Sequence, residues 1–385
     1  MATSRAGLDA GRAAPAGPFY AETCHPLLLT RRQLLTAGAA AVAAGALGIP
    51  SARAAGDDGA AIVRRWATAP DDPWTVCHGM RAMGRDFTLN DGRNAATWLL
   101  ETQLMSVHAN GQWLLTFPQS VEAHPNMFLS EALLEPGVPL DFGFTHKGKR
   151  RTVAEVVEGA RALFQPAEVL KQPNMLPWSL LAFARTTSPL RGRWKNAWGE
   201  EIDFDAVVER SLRLLEQASE PLVQDMRDGR PESGKAPVHD FTCGGTHMIY
   251  GLLAAVQAGF GGRDRLERVT KQVDLLVWRL RADPELIDRF YKERAARPGA
   301  YWYETDAKLK LLGHGEECLA FAVTRGVVSL SAARQAQRAA AVTTLRRLIE
   351  DVEGRNLAEA REMDVELFRQ IVGDTCHARH GLTFA

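Results

Sequence analysis

Apolar residues recur at helical spacing through most of the chain. Residues 203–226 place Phe204, Val207 and Leu212 on one face, and Asp203 precedes them as a suitable N-cap residue. We predict a helix there that Pro221 kinks or divides. The same period predicts helices at 94–108, 246–262, 263–284 with an end at Pro284, and 329–354.

Long alternations of β-branched residues are rare, whereas Ala, Leu, Arg and Glu are abundant. The segment 109–151 has no clear period, and within it residues 138–151 predict a short hairpin. We therefore predict a mainly α fold: an α/α toroid, or a helical barrel or solenoid of paired helices. A plain irregular helical domain is the alternative.

One internal similarity runs through the middle of the chain. Residues 148–158 align without gaps with residues 199–209. Each copy has a glycine, then a capping residue, then the sequence Val-Val-Glu at the start of a predicted helix. Two interpretations stay open: a repeated helical unit spanning 148–164 and 199–215, or the general likeness of turn-cap-helix sequences.

The N-terminal region has three parts in order. Arg31-Arg32 precede an Ala/Gly-rich apolar run, and Ala52-Arg53-Ala54 follows it as a small-x-small cleavage site. Paired arginines in this setting make the region resemble a twin-arginine (Tat) signal peptide of bacteria. The alternatives are a membrane anchor or a soluble N-terminal helix.

The resemblance to a Tat signal implies several expectations. The Tat export machinery would be a partner, the protein would be periplasmic or secreted, and a cofactor inserted before export becomes more plausible. We accordingly predict a signal peptide over 1–54, a flexible leader over 55–61 and a single α-helical domain over 62–385.

The charge and hydropathy of the chain exclude some classes of binding partner. The 385 residues contain 46 Lys and Arg against 46 Asp and Glu, so no basic excess points to nucleic acid or to an anionic membrane. No segment after residue 54 is apolar for long enough to span a bilayer. We expect a small-molecule or glycan substrate instead.

Histidines cluster near the cysteines in this sequence. The cysteines after residue 54 are Cys77, Cys243, Cys318 and Cys376. Within four positions of one of them lie His78, His239, His247, His314, His377 and His380. Thiolate and imidazole are metal ligands, and imidazole is also an acid or base near neutral pH.

The stretch HDFTCGGTH, from His239 to His247, is the most informative of these clusters. Gly244-Gly245 permits a sharp backbone turn. A helix beginning near Thr246 would direct unpaired N–H groups toward Cys243 and favour its thiolate. The alternative is a tightly packed glycine entry to a helix, with its histidines satisfied in the core.

Three interpretations of the cysteines follow. They form structural disulfides or buried thiols, or some bind a metal such as zinc, or Cys243 is a nucleophile with His247 or His239 as its base. The predicted metal ligands are Cys77, His78, Cys243 and His314. The predicted catalytic residues are His239, Asp240, Cys243, His247 and His78, with Asp240 orienting an imidazole.

The triplet Cys77-His78-Gly79 resembles a motif of the lanthionine-cyclase-like α/α toroids, in which Cys, Cys and His hold zinc. The resemblance covers only a few residues and implies architecture only. Glu316-Glu317 follow His314 and are interpreted as a solvated helix start in preference to a site carboxylate.

The leading hypothesis is an exported enzyme with a Cys/His-lined pocket, of hydrolase or lyase type, metal-assisted, acting on a cell-envelope or extracellular substrate. One alternative is a non-catalytic helical scaffold whose cysteines form disulfides. Another is a carbohydrate- or ligand-binding protein, in which aromatic side chains stack on sugars. The candidates for that role are Trp178, Trp194, Trp198, Trp302, Tyr301 and Tyr303.

Overall fold

A computed structural model describes residues 58–384, and this part of the chain is mainly helical, as predicted. The predicted signal peptide lies outside the described residues. The α-helices are α1 Ala60–Trp66, α2 Pro73–Met83, α3 Ala95–Thr102, α4 Val153–Leu163, α5 Pro166–Val169, α6 Leu176–Thr186, α7 Phe204–Arg227, α8 Thr246–Gln257, α9 Gly262–Lys292, α10 Ala300–Thr324, α11 Ala332–Gly354, α12 Ala358–Met363 and α13 Val365–Thr383.

A π-helix and four 3-10 turns complete the helical elements of the described residues. The π-helix is Phe128–Leu134, and the turns are Pro173–Met175, Pro189–Arg191, Pro237–Asp240 and Thr242–Gly245. Within residues 58–384, no helix is both long enough and apolar enough to cross a membrane. The toroidal arrangement stays a prediction.

The strands form three separate antiparallel hairpins. They are β1 Met105–Ala109 with β2 Gln112–Thr116, β3 Gly143–His146 with β4 Lys149–Thr152, and β5 Arg193–Lys195 with β6 Glu201–Asp203. The β3–β4 pair confirms the hairpin predicted near 138–151.

The two similar segments adopt similar local structures. Gly148 and Gly199 both have positive φ angles, of 73° and 81°, as tight turns require. Each turn leads through a short strand into a helix, α4 after Thr152 and α7 after Asp203. The Asp203 carboxylate accepts a hydrogen bond from the backbone N–H of Ala206 at 3.3 Å.

The predicted helix over 94–108 is wrong in its second half. Helix α3 ends at Thr102, and Met105–Ala109 is strand β1. The reason is the Asn110-Gly111 pair, whose φ angles of 43° and 81° form the tight turn that twists β1 onto β2. This turn outweighs the helical spacing of the apolar residues before it.

Two prolines do not interrupt their helices. Helix α9 continues past Pro284 to Lys292, and α7 continues past Pro221 to Arg227. Buried neighbours on both sides of each proline hold the helix against the core, which outweighs the loss of one backbone hydrogen bond. The predictions of an end at Pro284 and a division at Pro221 are therefore wrong.

Helix α10 lies at the centre and packs against α8, α9, α11 and α13, and α13 also packs against α2. Glycines allow the α10–α13 approach. A Cβ built on Gly381 would lie 2.6 Å from the backbone nitrogen of Glu317, and one on Gly313 would lie 3.0 Å from the carbonyl oxygen of Asp374. No larger residue fits these places without moving a helix.

We expect Gly381→Ala to destabilise the protein by roughly 1–3 kcal/mol, because overpacking outweighs the gain of about 1 kcal/mol in helix propensity. Gly354→Ala is the matched control, since a Cβ there meets nothing within 4 Å. Urea unfolding measures both variants. Equal stabilities for the two would contradict the close helix contact.

A buried carboxyl group holds the start of the π-helix. The two oxygens of Glu122 accept hydrogen bonds from the backbone N–H groups of Asn126 at 3.1 Å and Phe128 at 3.0 Å. Burial raises the pKa of Glu122 to about 8, although these two bonds act to lower it. The folded protein therefore favours the protonated acid.

This predicts a pH dependence for which Glu122→Gln is the test. The pKa of Glu122 in the folded protein exceeds the usual 4.5. The contribution of its protonated form to the stability of the fold is therefore full below about pH 4.5 and is lost as the pH rises through about 8. Between pH 5 and 8 the wild type should lose at least about 1 kcal/mol more stability than the variant in urea unfolding. Parallel losses would contradict the raised pKa.

Candidate metal centre

Four histidines from four helices meet inside the protein: His78 of α2, His247 of α8, His314 of α10 and His377 of α13. Ring centroids are 3.9 Å apart for His314 and His377, 4.6 Å for His247 and His314, and 5.1 Å for His78 and His377. None of the four is more than 9% exposed. Burial lowers the pKa of His78 to about 4 and that of His247 and His377 well below 6.5, so these imidazoles are neutral at pH 7.

Three of the imidazoles each have one nitrogen fixed by an acceptor. His314 Nε2 donates to Asp374 Oδ1 at 2.9 Å, His377 Nδ1 to Glu317 Oε2 at 2.9 Å, and His78 Nδ1 to the Trp74 carbonyl at 2.7 Å. These acceptors assign the tautomers and leave the other nitrogen of each ring with a lone pair. Imidazoles that bind metals are oriented in this way.

The lone-pair nitrogens of His314 and His377 have no ordinary hydrogen-bond partner. Nδ1 of His314 and Nε2 of His377 are buried and unpartnered within residues 58–384. Buried nitrogens of this kind are normally satisfied. These two nitrogens at the centre of four helices are therefore candidate ligand atoms.

Two carboxylates complete the cluster. Glu317 accepts a hydrogen bond from His380 at 2.6 Å and pairs with Arg81. Although burial acts to raise the pKa of Glu317, Arg81 and His377 hold it well below its usual range. Glu131 Oε1 accepts a bond from the Trp178 indole at 2.8 Å, and burial raises the pKa of Glu131 to about 7.

The donor atoms fall into three overlapping groups, each with all its donors within 4.8 Å of one another. The first is Cys243, His247 and His314. The second is His78, Glu131 and His377, and the third is His314, Glu317 and His377. A tetrahedral zinc site places donor atoms about 3.5 Å apart, by its bond lengths, so small side-chain rotations would close either of the first two groups around an ion.

Cys243 occupies an unusual backbone position. Its φ angle is 49°, followed by 62° at Gly244 and 85° at Gly245, so three consecutive residues are left-handed. Helix α8 begins immediately afterwards at Thr246, as the sequence predicts. Arg279 fixes this turn, because it donates to the Gly244 carbonyl at 2.6 Å.

A polar chain lies behind His314. Its partner Asp374 is close to the carboxyl group of Asp306, which accepts a bond from Lys310 at 3.1 Å. Burial, reinforced by Asp374, raises the pKa of Asp306 to about 7 although Lys310 opposes the shift.

Aromatic rings form the outer side of the cluster. The His124 ring stacks on Trp178 with centroids 3.9 Å apart, and Trp178 lies 4.8 Å from His247. Trp74 lies 3.9 Å from His78. Trp74, His124 and Cys243 are partly exposed.

The structure brings together four of the predicted site residues: His78, Cys243, His247 and His314. His239 lies elsewhere, with Nε2 3.7 Å from Asp283 Oδ2, and Asp240 is exposed. Cys77 is fully buried, and burial raises its pKa well above the usual value. These three lie outside the donor groups formed by the described residues.

The predicted catalytic and metal-binding residues omit five members of the site: Arg81, Glu131, Glu317, Asp374 and His377. One signal was available. His314-x-x-Glu317 and Asp374-x-x-His377 each put two donors three residues apart, hence on one face of a helix. The interpretation of Glu316-Glu317 as a solvated helix start is wrong, because both are buried in the middle of α10.

The aromatic residues considered for sugar binding are dispersed. Trp178 and Trp302 are buried, whereas Trp198 is 49% exposed. Trp178 is one of the aromatic rings beside the histidine cluster.

No family model matches this chain, and no curated protein or solved structure matches it.

Three of the cysteines are buried thiols. Cys77, Cys318 and Cys376 form no disulfide within the described part of the chain, and the Cys318 thiol donates to the Thr246 carbonyl at 3.1 Å. Burial raises the pKa of Cys318 and of Cys376 well above 9.0, which suppresses reactive thiolate.

We expect iodoacetamide to alkylate Cys243 first in the native, chelator-treated protein, because its side chain is the most exposed of the four. Cys77, Cys318 and Cys376 should react only after unfolding, without reductant. Mass spectrometry of the digested peptides measures each site. A requirement for reductant would instead establish a disulfide.

Proposed function

We propose that this protein is an exported zinc-dependent hydrolase that acts on a cell-envelope or extracellular substrate. The observation that carries the proposal is the convergence of Cys243, His247 and His314 on the solvent side of a buried histidine cluster. Three protein ligands with an open fourth position are typical of catalytic zinc.

The chemistry of the donors supports zinc over harder ions. One thiolate and two imidazoles suit zinc, whereas magnesium and calcium prefer oxygen ligands. A zinc ion at these ligands would polarise a substrate carbonyl and lower the pKa of a bound water. Asp374 supplies the carboxylate partner that orients His314, as in many zinc sites.

The aromatic rim supports a substrate-binding role on the open side. Trp178 lies 4.8 Å from the proposed zinc ligand His247 and stacks on the partly exposed His124 ring. Aromatic faces bind sugar rings and other apolar parts of a substrate. Export, which rests on the twin-arginine-like N-terminal region, would place this site outside the cytoplasm.

A second candidate is a cysteine hydrolase, which one observation favours. Cys243 stands on a left-handed turn at the start of α8, close to His314, which is itself bonded to Asp374 at 2.9 Å. A thiol, an imidazole and a carboxylate in this order form a nucleophile with an oriented base. This arrangement uses His314 as the base in place of His239 or His247.

The test measures zinc in the purified full chain. We expect zinc to be retained through dialysis, and Cys243→Ser and His314→Ala each to lose one zinc per chain. Asp374→Asn should weaken zinc affinity by about 10–100-fold, because it removes the acceptor behind a ligand. Hydrolysis of p-nitrophenyl acetate should stop on chelation and return with zinc.

His108→Ala is the control, since His108 is an exposed histidine on β1 outside the cluster. Its zinc content should equal that of the wild type. A wild type without zinc, whose Cys243 is alkylated rapidly in a His314-dependent way, would overturn the zinc proposal in favour of the cysteine nucleophile. Circular dichroism verifies the fold of every variant.

A further inference from the structure

We infer that a second divalent transition-metal ion binds deeper in the cluster, held by His78, Glu131 and His377. This inference deepens the proposed function and rests on it, because the two ions would form one centre with the zinc on the solvent side. The three donors lie within 4.8 Å of one another, and they share no residue with the group Cys243, His247 and His314.

The tautomers leave the right atoms for this ion. His78 and His377 both use Nδ1 for hydrogen bonds, to Trp74 and Glu317 respectively, so each has Nε2 with a lone pair. Nε2 of His377 and Oε2 of Glu131 are buried and unpartnered in the described chain. An isolated cluster of buried polar atoms of this kind is costly, and a cation satisfies several of them at once.

Each donor is held in place by a separate element. Glu131 belongs to the π-helix, where its Oε1 is fixed by the Trp178 indole, so Oε2 remains for an ion. His78 and His377 come from α2 and α13, which pack directly against each other. Two imidazoles and one carboxylate form a donor set that binds divalent iron, zinc and similar ions.

Arg81 is a cation beside this position, with Nη1 4.0 Å from Glu131 Oε1. Its charge is already matched, because its Nε pairs with Glu317. Glu131 and Asp374 are two further carboxyl groups nearby. Burial raises the pKa of Glu131 to about 7, and a divalent cation bound there would displace its proton and stabilise the carboxylate.

The two proposed metal positions differ in their exposure to solvent. Cys243 is partly exposed, whereas His78, Glu131 and His377 are at most 4% exposed. His314 of the outer position and His377 of the inner one have ring centroids 3.9 Å apart. The outer position suits exchange with substrate, and the inner one suits a permanently held ion, as in two-metal hydrolases.

The experiment titrates the chelator-treated full chain with Co²⁺. A thiolate ligand gives an intense charge-transfer absorption, so this band reports the Cys243 position alone. We expect two Co²⁺ per chain in the wild type. His78→Ala and Glu131→Gln should bind one Co²⁺ with the band intact, whereas Cys243→Ser should bind one without the band.

We include Glu131→Gln as a variant that should keep the fold, because its side-chain oxygen still accepts the Trp178 hydrogen bond. His108→Ala should bind two ions. One ion with the band in the wild type, unchanged in His78→Ala, would overturn the inner site and leave the proposed function standing. No band, with one ion lost in His78→Ala, would overturn the zinc proposal and leave the inner site.

Discussion

The close approach of α10 and α13 is the constraint on which the site depends. Gly313 and Gly381 remove the side chains that would separate the two helices, and Gly373 does the same where α13 meets Trp74 and His78 of α2. With backbones this close, residues 314 and 317 face residues 374 and 377. The imidazole–carboxylate pairs that define the centre follow from that contact.

These pairs also offset the free-energy cost of burying polar and ionised groups. Burying ionised groups is expensive unless each is paired and hydrogen-bonded. Glu317 satisfies the requirement with three partners, Arg81, His377 and His380, and Glu135 does so with Arg185 and Tyr250. Four buried atoms of the cluster and its carboxylates have no hydrogen-bond partner within residues 58–384: Glu131 Oε2, His314 Nδ1, Asp374 Oδ2 and His377 Nε2.

The helical character, several helix starts and the hairpin near 138–151 could be predicted because they depend on local periodicity and capping. Asp203 is a predicted N-cap that the structure retains. The turn at Asn110-Gly111 and the passage through Pro221 and Pro284 could not be predicted from period alone. In each case a residue's local preference competes with tertiary packing, and the outcome differs from place to place.

The site could be predicted only in outline. Proximity of histidine to cysteine along the chain indicated His78, Cys243, His247 and His314, but partners such as Glu131 come from a segment without a readable period. Helix packing decides which side chains that are distant in the sequence come into contact, and no sequence motif indicates that packing.

Residues in the stretch from His239 to His247 have different structural roles. Cys243 and His247 reach the cluster, while His239 lies beside Asp283. Asp283 pairs with Arg279 at 2.8 Å, and Arg279 holds the Gly244 carbonyl. Arg279 lowers the pKa of Asp283 to about 2 although burial opposes the shift, so the pair stays charged. A left-handed cysteine costs about 1–3 kcal/mol and persists only when its surroundings enforce it. Arg279, held by Asp283, is part of those surroundings, because it bonds the carbonyl of the next residue, Gly244.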